Sequence, residues 1–140
     1  MLPAFDPRGN LPPGVHRASL DEVISRFGGG LARERWAGVL QEIIQLAETT
    51  GRFGSVYLFG SFVTSKKAPA DLDIFLVMAA DFSVNMAEGR AKLIFDRSRA
   101  AMVFGACVYW ITTRTDRTPF LGAWQQDRDG NLRGIVEVIR

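Results

Sequence analysis

The sequence predicts an α/β domain of the α+β kind, a small mixed sheet covered by helices and preceded by an extended proline-rich arm. Three observations carry that reading. Residues 31 to about 50 repeat their apolar side chains at helical spacing, the runs 55–59, 72–78 and 106–113 are short and β-rich, and glycine or proline clusters separate them. With 140 residues, 47% hydrophobic and 23% charged, the chain has the length of one ordinary domain and the composition of a folded, soluble one.

Four of the six prolines, Pro3, Pro7, Pro12 and Pro13, fall early. Each fixes φ and lacks a donor, so residues 1–17 are expected as an extended arm over the surface of a domain spanning 18–140. Ser19 and Glu22 have the spacing of a capping box, which starts a short helix that Gly28-Gly29-Gly30 ends. In the next helix Trp36, Val39, Leu40, Ile43, Ile44 and Ala47 form one apolar stripe, suited to covering a sheet.

Gly51 and Gly54 break the helical pattern before the first expected strand, Ser55-Val56-Tyr57-Leu58-Phe59, which stops at Gly60. Leu72-Asp73-Ile74-Phe75-Leu76-Val77-Met78 is nearly all apolar after its acid, as in a central strand covered on both faces. Residues 84–104 read as helix in two pieces around Gly89 and Asp96, and 106–113 as a third strand. A helical turn after Pro119, the turn-rich Asp127-Arg128-Asp129-Gly130-Asn131 and a last strand over 134–139 complete the chain, with no internal repeat.

Cys107 is the only cysteine, which excludes an internal disulfide and a cysteine-rich zinc site and fits a reducing compartment, the cytoplasm. The N-terminus lacks the basic and apolar regions of a secretion signal, and no apolar run is long enough to span a bilayer, so no membrane association is expected. A net charge of +2 does not by itself argue for nucleic acid. His16, Trp36, Trp110 and Trp124 read as packing residues, and Arg114 and Arg117 as surface charge.

The chemistry-bearing feature is Gly60-Ser61 after one strand, a spacer, and Asp71-Leu72-Asp73 at the start of the next. A strand has a side-chain period of two, so Asp71 and Asp73 share one side with Cα atoms roughly 6.5 Å apart, a spacing suited to Mg²⁺. Gly60 permits close backbone approach, and Ser61 offers a hydroxyl and amides at an expected helix N-terminus, where phosphate oxygens bind. Lys66 and Lys67 lie in the spacer, either to neutralise phosphate or as solvated charge.

Leu58-Phe59-Gly60-Ser61, the spacer and Asp71-Leu72-Asp73-Ile74 resemble the active-site pattern of the DNA polymerase β nucleotidyltransferase superfamily, and the order of elements extends the likeness to about Thr113. The Asn10-Leu11-Pro12-Pro13-Gly14 arm and the segment from Asp127 to Ile135 are similar to those of an uncharacterised bacterial branch with minimal members. The resemblance implies Mg²⁺ and a nucleoside triphosphate, ATP first, bound by Asp71, Asp73, Gly60, Ser61 and Lys66. It also implies transfer of a nucleoside monophosphate to a hydroxyl of a protein, an RNA or a small molecule. Asp71 and Asp73 are then the metal ligands and catalytic residues.

The superfamily usually adds a third carboxylate from the next strand, where this chain has Cys107. Asp116 and Glu137, the latter between Val136 and Val138, are the candidate replacements. Two outcomes stay open, an enzyme or a catalytically impaired regulatory domain that binds a partner protein, as antitoxin-like relatives do. A partner chain or a homodimer is expected to complete the site. A nucleic-acid module using Arg52, Lys66 and Lys67 is a third reading, and it requires binding that weakens steeply with salt.

Overall fold

The computed structural model describes all residues, 1–140. Five strands, β1 (Val15–Ser19), β2 (Phe53–Phe59), β3 (Asp73–Met78), β4 (Cys107–Thr112) and β5 (Ile135–Ile139), form one sheet in the order β1-β5-β2-β3-β4. The sheet is mixed. β1 runs parallel to β5 and β3 parallel to β4, whereas β2 is antiparallel to both β5 and β3.

Helices α1 (Leu20–Phe27), α2 (Leu31–Glu48), α3 (Arg90–Leu93) and α4 (Arg97–Phe104) contribute to the larger core, which contains Val56, Leu58, Ile74, Leu76, Val108, Val136 and Val138. The opposite sheet face carries Tyr57, Phe59, Phe75, Val77 and Ile135, packed against Leu121 of α5 (Thr118–Ala123) and the adjoining Trp124. Alternation along each strand makes both faces apolar, because each lies under a helix. No helix is long and apolar enough to cross a membrane.

Local chemistry explains the boundaries. Ser19 Oγ accepts from the Glu22 amide at 3.1 Å, as expected for an N-cap, while the Glu22 carboxylate accepts from the Leu2 amide and ties down the start of the chain. Asp96 caps α4 through the Arg99 amide, and left-handed Gly105 ends it. β3 has two neighbours and is buried from Ile74 onward, although β2 is the middle strand of the five.

The N-terminal segment departs from a simple surface arm. Residues 15–17, assigned to the arm from sequence, belong to edge strand β1, and Leu2 and Leu11 are buried in the larger core. The Gly134 amide donates to the Leu11 carbonyl and the Ile135 amide to the Gly14 carbonyl, so the arm's carbonyls are satisfied by the approach to β5.

Candidate functional site

β2 ends at Phe59, which pairs with Asp73 at the start of β3, and β3 pairs in parallel with β4 so that Asp73 faces Cys107. The chain leaves β2 through Gly60 at φ +75°, a conformation glycine adopts without strain. A Cβ on Gly60 would lie 2.0 Å from Asp73 Oδ2, so only a bare Cα admits the carboxylate. The Gly-Ser bend and the aspartate therefore share one close-packed corner.

That corner opens into a cleft of about 420 Å³ lined by Gly60, Ser61, Lys66, Ala70, Asp71, Asp73, Asp127, Arg128 and Arg133. All five residues taken from sequence as nucleotide or metal ligands line it. Asp71 sits in the loop just before β3, exposed, while Asp73 is partly buried. The helix N-terminus expected at Ser61 is a single 3-10 turn, Gly60–Val63, because Thr64 returns to extended backbone. Lys67 does not line the cleft.

The spacer carrying Lys66 is held by a buried cation that the sequence reading passed over. Arg33 uses all five N–H donors on carbonyls: Nε on Lys66, Nη1 on Phe27 and Phe62, and Nη2 on Thr64 and Lys66. Trp36 Nε1 donates to the Pro69 carbonyl at 2.9 Å from the same helix. Arg33 is the one charged residue that is buried, and its burial lowers its pKa, yet its full set of partners satisfies it. Its signal in sequence was one polar residue on the inward side of α2, one turn before Trp36 and Ala37.

Electrostatically the cleft is divided. Burial and then the neighbouring Asp71 charge push the Asp73 carboxyl up to about 6, against a hydrogen bond with Cys107 and the nearby Arg133 charge. Burial and the same two carboxylates also raise the Cys107 thiol, which therefore donates to Asp73 as a neutral S–H. Carboxylate oxygens are hard donors of the kind a hard divalent cation takes. Asp71 and Asp73 supply two such donors to the cleft. No group of three His, Cys, Asp or Glu side chains is placed to hold a metal.

Neither candidate for a third acid lines the cleft. Asp116 follows the far end of β4, a strand of six residues or roughly 17 Å from Cys107 to Thr112, and its carboxylate accepts from the Thr118 amide. Glu137 pairs across the sheet with Tyr57 and lies 3.6 Å from Arg17 Nε in an ion pair. Its apolar neighbours reflect strand alternation, since Val136 and Val138 face the larger core and Glu137 the other side.

Asp127, Arg128 and Arg133 join the cleft from the C-terminal segment and were missed. Asp127 accepts from the amides of Asp129 and Asn131 through Oδ1, which lowers its pKa, and from Asn131 Nδ2 through Oδ2. It shapes its own turn. The available signal was the recurrence of an Asp-x-x-Gly-Asn-Leu pattern at Asp6 and Asp127.

These features define a mixed α/β domain with a divided acidic and basic cleft at the end of its sheet. The chain belongs to the family of unknown function DUF6932, whose profile matches residues 3–139. No curated protein and no solved structure matches it.

Proposed function

We propose that the cleft binds a magnesium-complexed nucleoside triphosphate, ATP first among the candidates, and that the protein acts as a nucleotidyltransferase toward a hydroxyl acceptor. One observation carries the reading: paired carboxylates meet a glycine-serine bend at one corner of a cleft that Lys66, Arg128 and Arg133 also line, beside Asp127. The nucleotidyltransferase-like pattern around Gly60, Ser61, Asp71 and Asp73 supports it from sequence.

In this mechanism Asp71 and Asp73 would hold Mg²⁺, which would neutralise triphosphate charge and lower the pKa of the acceptor hydroxyl. Gly60 keeps the backbone clear of Asp73, Ser61 offers its hydroxyl to phosphate, and Lys66 balances phosphate charge. The acceptor oxygen forms a bond to the α-phosphorus, the bond to pyrophosphate breaks, and the acceptor proton is released. A partner chain or second copy supplies the acceptor side.

Cys107 favours a second reading. It occupies the register position beside Asp73 and contributes a neutral thiol, a poor ligand for Mg²⁺. A domain with this substitution retains the nucleotide-bound metal and loses turnover, and it acts by binding a partner protein in the antitoxin-like manner.

Calorimetric titration with ATP, GTP, CTP and UTP, with and without Mg²⁺, tests the binding. Mg²⁺-dependent affinity is expected in the wild type and is lost in the Asp71→Asn, Asp73→Asn double variant and in Gly60→Ala. Wild-type affinity for no nucleotide, or affinity indifferent to the double substitution, overturns it. Label transfer from α-labelled ATP then separates the enzyme from the binder, whose partner binding survives the double substitution.

A further inference from the structure

Besides Asp71, Asp73 and Asp127, the cleft is lined by three cations of different origin. Lys66 comes from the spacer, Arg128 from the turn after α5, and Arg133 from the segment entering β5. None of the three forms an ion pair, although six other ion pairs occur in the molecule. Arg133 is close enough to lower the pKa of both Asp73 and Asp127, yet it bonds neither.

Arg133 Nε is the single buried side-chain nitrogen or oxygen in the molecule without a hydrogen-bond partner. An orphaned buried donor costs free energy, and a bound water, ion or ligand that turns the side chain toward itself is what offsets that cost. The contrast with Arg33 is direct: both are partly or fully buried arginines, but Arg33 has every donor satisfied by carbonyls. Arg133 is anchored by its backbone, whose amide donates to the Gln125 carbonyl at 2.8 Å, and its guanidinium is left for something else.

We infer that Arg133, flanked by Arg128 and Lys66, grips the terminal phosphates of the nucleotide and makes the cleft selective for a polyphosphate tail over a monophosphate. The assignment rests on the nucleotide reading above and extends it by placing the tail on the C-terminal wall. A guanidinium offers a planar fork matched to phosphate oxygens, which lysine lacks. The carboxylate side takes the cation and the arginine side takes the anion of the same complex.

Calorimetry with ATP, ADP, AMP and inorganic tripolyphosphate at constant Mg²⁺ tests this on wild type, Arg133→Gln, Arg133→Lys and Arg128→Gln. Wild type is expected to bind ATP more tightly than ADP and ADP more tightly than AMP. Arg133→Gln is expected to weaken ATP and tripolyphosphate by about tenfold to a hundredfold, the scale of charge-assisted hydrogen bonds, and to leave AMP unchanged. Arg133→Lys recovers part of the loss. Arg128→Gln, an exposed substitution that does not threaten folding, weakens ATP in the same direction.

Wild-type ATP affinity in Arg133→Gln, or equal weakening of ATP and AMP, overturns the inference even where the aspartate variants behave as proposed. Tripolyphosphate that binds wild type and is lost in Arg133→Gln, in a protein that binds no nucleotide, upholds the basic wall while the nucleotide reading fails.

Discussion

In the turn over residues 6–10, Asp6 Oδ1 accepts from the amides of Arg8 and Asn10, the Asp6 amide donates to the Asn10 carbonyl, and Gly9 has φ +82°. The turn over 127–131 repeats each contact, with Asp127 Oδ1 on Asp129 and Asn131, the Asp127 amide on the Asn131 carbonyl, and Gly130 at φ +80°. Both lead toward strands that pair in parallel, β1 and β5. Their surroundings differ. Gly9 is pressed against Ser65 and its carbonyl accepts from the Ser65 amide, whereas a Cβ on Gly130 would meet nothing within 4 Å.

The same local chemistry thus serves two ends. The first turn plugs the arm into the domain, with Leu11 fully buried behind it, and the second stands free at the cleft with Leu132 56% exposed. An aspartate-capped turn fixes a chain reversal through its own hydrogen bonds, so it needs no tertiary support and can carry ligand-facing residues. Arg128 and Arg133 occupy that freedom.

The largest separation between the two turns is expected at their matching leucines. Leu11→Ala leaves a hole in the core and costs about 2–5 kcal/mol, while Leu132→Ala changes stability by no more than about 0.5 kcal/mol. Urea unfolding of both variants measures it, and equal losses erase the distinction. The paired glycines give a smaller contrast. Gly130→Ala costs about 1 kcal/mol for its left-handed backbone alone, and Gly9→Ala costs more because Ser65 must also move. Thermal melts of the two variants rank them.

The smallest effect lies in charge. Burial and Asp71 push Asp73 up to about 6, so removal of the nearby cation in Arg133→Gln is expected to raise it further, and Arg8→Gln in the first turn to leave it unmoved. Carboxyl NMR titration reads both. The sign for stability follows: the folded value exceeds the ordinary carboxylate value of about 3.9, so the folded state binds the proton more tightly. This contribution is fully present below about pH 4 and is lost as pH rises through 6. Without metal, Asp73→Asn flattens the pH dependence of stability between those limits.

Much of the fold was legible because its signals are local. The α2 stripe, the Ser19 cap, the apolar run of β3 and the glycine stop at Gly60 each act within a few residues. The aspartates and the Gly-Ser bend were legible for the same reason, and β3–β4 register puts Cys107 beside Asp73, where the chain order suggested an acid belonged. β1 was hidden because its inward positions are His16 and Ala18 and its outward ones include Val15, so apolar residues do not mark its buried side, and it follows two prolines. Arg128 and Arg133 were hidden by distance, since only the insertion of β5 between β1 and β2 carries them to residues some seventy positions earlier. Arg33 was hidden because its partners are backbone carbonyls, which leave no mark in a sequence.

The placement of β5 also bears on how the protein is made. During synthesis β2, β3 and β4 can pair as they emerge, but β1 has no neighbour in the sheet until residues 135–139 have left the ribosome and threaded in beside it. One strand thus seals the β1 flank and brings the C-terminal residues to the cleft together.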